Sequence, residues 1–107
     1  LNGQRYLSKE TCQLFTTETS KISRRGLGFD KPDADDPKKG NCAPAAPAEV
    51  YGHTGFTGTC AWVDPMNELV YVFLSNRIYP DVTNRKLNQL HIRERIQGAI
   101  YDAMKKK

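Results

Sequence analysis

No run in this chain approaches the roughly eighteen apolar residues that a membrane-spanning helix needs, and no basic-then-apolar leader opens it. A membrane-spanning helix within these residues is excluded. Cysteine is sparse: Cys12, Cys42 and Cys60 cannot all pair with one another, and their spacing fits neither zinc ligation nor a Cys-x-x-Cys redox pair. Buried or idle thiols are the expectation. Apolar residues are also few, at 38%, with a mean hydropathy of −0.64, which suits long loops or a unit that packs against further segments. With 107 residues the chain makes one domain at most, burying about two thirds of its unfolded surface.

Charge of one sign is not concentrated either. The net charge of +4 comes from scattered lysines and arginines, and Lys105, Lys106 and Lys107 form a solvated tail. No aromatic residues interleave with a basic stripe, so no nucleic-acid partner is expected. The acidic run Asp33-Ala34-Asp35-Asp36-Pro37 lacks the glycine and distal glutamate of a calcium loop, and no metal site is expected there.

Along the chain, Ser8 is placed to cap a short helix through Phe15, with Glu10 near its positive end and Leu14 and Phe15 as buried contacts. Residues 25–30 read as a short strand with Leu27 and Phe29 on one face. Residues 31–48, with four prolines and several charges, read as a long loop. Three strands follow, at 50–55, 57–64 and 69–76. The hairpin turn 64–68 joins the last two, Pro65 suiting its first central position and Asn67 a left-handed backbone. The run Leu69-Val70-Tyr71-Val72-Phe73-Leu74 is apolar on both faces, the pattern of an interior strand covered by helices on each side. A terminal helix is expected from about Leu90 to Met104. Ile92, Ile96, Ala99, Ile100 and Ala103 fall on its buried face, and Arg93, Glu94, Arg95 and Gln97 on the other. The fold class is α+β, an antiparallel sheet flanked by helices. Trp62 suits the core, and His91 a structural role at the start of the terminal helix.

The most telling stretch is Tyr51-Gly52-His53-Thr54-Gly55-Phe56-Thr57-Gly58-Thr59, where glycine recurs every third residue along a strand. Glycine weakens a strand, so its usual meaning there is a bend or the close approach of a ligand or another backbone. His53-Thr54-Gly55 resembles the third motif, Lys-Thr-Gly, of the serine β-lactamase and penicillin-binding-protein superfamily. It is similar to the His-Thr-Gly variant of class C-like esterases and D-amino-acid peptidases. Trp62-Val63-Asp64-Pro65, the apolar strand, Ser75-Asn76-Arg77 and the terminal helix continue the likeness in the family's order. Arg5-Tyr6-Leu7-Ser8 and Gly26-Leu27-Gly28-Phe29 extend it upstream.

The family's Ser-x-x-Lys nucleophile motif and its Tyr-x-Asn motif do not occur here, and none of Ser8, Ser20, Ser23 and Ser75 has lysine three residues on. The chain thus resembles the C-terminal fragment of a β-lactamase/transpeptidase-like fold, a single unit over residues 1–107 with one wall of an active site and no nucleophile. By that resemblance His53 replaces the motif lysine, without lysine's permanent charge. Thr54 offers its hydroxyl to a substrate carboxylate or leaving group, Gly55 leaves room for the acyl group, and the Phe56 backbone N–H donates to an oxyanion. Thr57, Asn76 and Arg77 are weaker candidates for substrate contacts. The resemblance implies no cofactor, a small acyl substrate (ester, amide or β-lactam), and a periplasmic or cell-envelope setting. It also implies docking against N-terminal and all-α segments, with self-association of the chain when these are absent. An autonomous binding or scaffold module derived from the same fold is the alternative.

Overall fold

The computed structural model describes residues 1–36 and 39–106; Pro37 and Lys38, within the expected loop, and Lys107, in the tail, lie outside the described residues. The elements in chain order are α1 (Lys9–Thr16), β1 (Tyr51–Thr54), β2 (Cys60–Asp64), β3 (Leu69–Phe73), α2 (Lys86–Gln89) and α3 (Ile92–Lys105). The strands form one antiparallel sheet in the order β1-β2-β3, so the architecture is α+β, as the sequence implies. Register is set by the pairs His53 with Ala61, Gly52 with Trp62, Ala61 with Val72 and Trp62 with Tyr71.

Side chains alternate across a strand. Cys60, Trp62, Asp64 and Tyr71 therefore share an inner face, where all four are buried, and Cys42 and Val50 from the preceding loop complete the core. Trp62 is a core residue, 1% exposed. Helix α3 covers this inner face. The Tyr71 hydroxyl donates to the Arg93 carbonyl at 3.0 Å, the Tyr101 hydroxyl to Asp64 Oδ2 at 2.8 Å, and Gln97 Oε1 accepts from the Ala43 amide at 2.8 Å.

The buried face of α3 is therefore Arg93, Gln97 and Tyr101, spaced four apart, while Ile96, Ala99 and Ala103 are exposed. This corrects the expectation from hydropathy by rotating the helix. Arg93, Gln97 and Tyr101 each make hydrogen bonds where they turn inward, and a hydrogen-bonded polar side chain is far less expensive to bury than an unpaired one.

Four further expectations are corrected. Strand β3 lies at a sheet edge, and Val70, Val72 and Leu74 are 55–79% exposed, because helices cover one face of this sheet and not both. Residues 25–30 contribute only an isolated bridge between Asp30 and Gly52: Gly28, at φ 90°, breaks the extended run, and the Gly26 amide turns back to the Phe29 carbonyl. Helix α1 is capped as expected, Ser8 Oγ accepting from the Thr11 amide at 3.1 Å, yet Leu14 and Phe15 are exposed because no described element packs over them. Instead the Lys31 ammonium holds α1, donating to the Thr16 carbonyl at 3.0 Å and to the Glu49 carbonyl at 3.2 Å. In the hairpin turn it is Glu68, not Asn67, that is left-handed, with φ 52°. Asp64 organises that turn by accepting from the Met66 and Asn67 amides and from the Asn67 side chain.

Candidate active site

The glycine-rich run leaves β1 and closes a tight turn before β2. The Gly55 amide donates to the Thr59 carbonyl at 2.8 Å and the Gly58 amide to the Gly55 carbonyl at 3.0 Å. The Phe56 amide takes no part in these bonds. Gly58 has φ 100°, a region that L side chains rarely adopt. At Gly52 a Cβ would run into the Ala61 carbonyl and the Trp62 ring, so the close approach signalled by that glycine is to the sheet's own core. At Gly55 the space for a Cβ is held by Thr59 Oγ1.

Beyond this turn lies a cleft of about 480 Å³, bounded on one side by Thr54, Gly55, Phe56 and Arg77. Its other walls come from Lys39, Gly40 and Asn41 in the long loop, and from Asn88, His91, Arg93 and Glu94 around the start of α3. The Arg77 amide donates to the Thr57 carbonyl at 2.9 Å, and its guanidinium sits 4.6 Å from the centre of the Phe56 ring. Arg93 is 7% exposed and spans the floor, donating through Nη1 to the Thr59 carbonyl at 3.2 Å and through Nη2 to Asn88 Oδ1 at 3.1 Å. Its Nε and the Glu94 Oε2 are buried with no hydrogen-bond partner among the described residues. Lys39 (which pairs with Asp36 at 3.6 Å), Arg77 and Arg93 outnumber Glu94 on the lining and make the cleft a place for negative charge.

The sequence candidates divide between two faces. Thr54, Gly55, Phe56 and Arg77 meet in this cleft. His53 is exposed and points to the opposite side of the sheet, in a row with Ala61 and Val72. Its Nδ1 lies 2.7 Å from the Thr54 carbonyl oxygen; a carbonyl only accepts, so Nδ1 is the donor, and Nε2 has no hydrogen-bond partner among the described residues. Asn76 is exposed and borders a separate hollow with Ser75 and Tyr79, while Thr57 contributes its carbonyl to the Arg77 amide. Sequence reasoning passed over Lys39, Asn41, Asn88, Arg93 and Glu94 and gave His91 a structural role. The one signal, and for Arg93 alone, was its four-residue spacing from Gln97 on the helix.

None of the four serines is paired with a base among the described residues. Ser8 caps α1, Ser20 and Ser23 accept from the Ile22 and Arg25 amides, and Ser75 Oγ is buried without a partner among the described residues.

The β-lactamase family model matches residues 2–94, most of the length. The chain belongs to the β-lactamase family. Curated relatives carrying the name "Putative D-alanyl-D-alanine carboxypeptidase" include proteins of Escherichia coli O157:H7 (33% identical), Escherichia coli strain K12 (32%) and Salmonella typhi (32%). Each match covers 82% of this chain and 21% of the relative, so the chain spans about a fifth of the length of these β-lactamase-family proteins. No solved structure gave a match.

Proposed function

We propose that this chain forms the C-terminal wall of a serine hydrolase active site whose nucleophile lies on segments outside these 107 residues. The observation that carries this reading is the cleft itself: motif residues Thr54, Gly55 and Phe56 border a cationic hollow, and none of the chain's serines is paired with a base among the described residues. In that role the Phe56 N–H donates to the developing oxyanion, Thr54 orients the substrate, and Arg77 attracts a substrate carboxylate. His53 lies on the opposite side of the sheet from the cleft, so the serine-bearing segments would meet the end of β1, which His53 and Thr54 flank from either face.

The exposed outer face, with Val70 and Val72, and the unpaired edge of β3 support docking of the N-terminal and all-α segments there. The substrate is a small acyl compound. The relatives' name supports a peptide ending in D-alanine, which would place the whole protein in the cell envelope.

The test uses a longer protein that includes this chain and a Ser-x-x-Lys segment, assayed with a D-alanyl-D-alanine peptide, nitrocefin and a neutral p-nitrophenyl ester. Arg77→Ala should raise KM for the carboxylate-bearing substrates by about tenfold, with kcat and the neutral ester little changed, as expected when an interaction shared by ground and transition states is lost. An inert longer protein that nonetheless binds a ligand in the cleft would favour the non-catalytic module instead.

A further inference from the structure

We propose that Asp30 is a positioning residue for the cleft, gripping β1 with its backbone and the opposite cleft wall with its side chain. The inference rests on the function proposed above. Asp30 is 1% exposed and lies on the edge of β1 away from β2. Its amide donates to the Gly52 carbonyl at 2.7 Å and its carbonyl accepts from the Gly52 amide at 3.1 Å, two residues before Thr54. Its carboxylate accepts from Asn41 Nδ2 at 2.8 Å, and Asn41 lines the cleft beside Gly40 and Lys39. Arg24 completes the site: its Nε lies 2.9 Å from Oδ1 and its Nη2 donates to Oδ2 at 3.1 Å, while the Lys31 amide donates to Oδ1 at 3.1 Å.

A buried ion pair of this kind contributes little net stability, and its best-attested use is to fix one arrangement among alternatives. Here the arrangement it fixes is functional. Residues 39–41 have no strand or helix of their own, and Asn41 is bonded through Asp30 to the strand that carries the motif. Ala43 and Cys42 anchor the far end of this loop, and the Asp30 carboxylate sets where Asn41 stands relative to Thr54.

The test compares Asp30→Asn, Asn41→Ala and the double variant in the longer protein. Each single variant should raise KM for a D-alanyl-D-alanine peptide by about tenfold, the value of one charge-assisted hydrogen bond, with kcat within a fewfold of the parent. The double variant should be no worse than Asp30→Asn alone, because the two act through one contact. Asn41 is only half-buried, so its variant should fold even if Asp30→Asn does not. An unchanged KM in Asn41→Ala, or additive effects, would overturn the proposal and leave Asp30 as a folding residue only. Amide exchange on the 107-residue chain separates this from failure of the functional reading. Even if the longer protein hydrolyses nothing, Asn41→Ala should speed exchange at the Gly52 amide about tenfold, a loss of coupling of the same size, and unchanged exchange would count against the clamp.

Discussion

Replacing Tyr101 by Phe removes one oxygen from the contact that holds α3 to the sheet. The Tyr101 ring is 4% exposed and Asp64 is 2% exposed, so water cannot replace the 2.8 Å bond between them. A hydrogen bond to a charged group is worth about 1.5–3 kcal/mol. Asp64 keeps the Asn67 side chain and two turn amides, which places the expected loss near the middle, about 2 kcal/mol. For a chain of this size that is a fall in Tm of roughly 8 °C or more. Urea unfolding at pH 7, with an unchanged m-value, measures it. The pH dependence checks the mechanism. Burial acts to raise the Asp64 pKa, but the bonds from Asn67, Tyr101 and the turn amides outweigh it and hold the group below the ordinary value of 3.8. A depressed folded pKa gives stability that is present above the unfolded pKa and lost as pH falls through the folded one. The cost of Tyr101→Phe should therefore be full at pH 5 to 7 and shrink only as pH falls below the ordinary carboxylate range, through the depressed pKa of folded Asp64. A loss under about 0.5 kcal/mol at pH 7, or one that grows as pH falls, would refute the reasoning.

The thiols should divide by burial: at pH 8 a disulfide reagent should titrate exposed Cys12 quickly, while Cys42, buried and pushed up to about 12, and buried Cys60 should react only on unfolding; three fast thiols would show an open core. Val70→Lys with Val72→Lys should abolish self-association of the isolated chain in sedimentation, whereas a monomeric parent chain would argue that the outer face needs no cover. In the longer protein, His53→Ala should lower kcat/KM by roughly a hundredfold with folding intact, and His53→Lys should retain part of the activity with a shifted pH profile. Parental kinetics in both variants from pH 5 to 9 would leave His53 as a sheet residue alone.

The sheet was legible because alternation and turn chemistry are local. Asp64 to Glu68 announce the hairpin, and Trp62 and Tyr71 mark the inner face. Even the separation of His53 from Thr54 follows from the two-residue period of a strand. Helix α3 was misread because hydropathy assigns cost to Arg93 and Gln97 without knowing that the Thr59 carbonyl and the Ala43 amide await them. These partners lie 34 and 54 residues away in sequence. The apolar outer face of β3 was read as covered, which these residues do not achieve by themselves. The half of the cleft formed by Lys39, Asn41 and Arg93 was not legible for the same reason: folding, not spacing, brings those residues to the motif turn.

The central claim is that this chain supplies a wall and another segment supplies the serine. Its most direct test is covalent: a fluorescent penicillin and a fluorophosphonate are reacted with the longer protein and with the 107-residue chain, and the labelled residue is located by peptide mass mapping. The account expects label on a serine outside residues 1–107 in the longer protein and none on the chain alone. Label on Ser8, Ser20, Ser23 or Ser75 would contradict it.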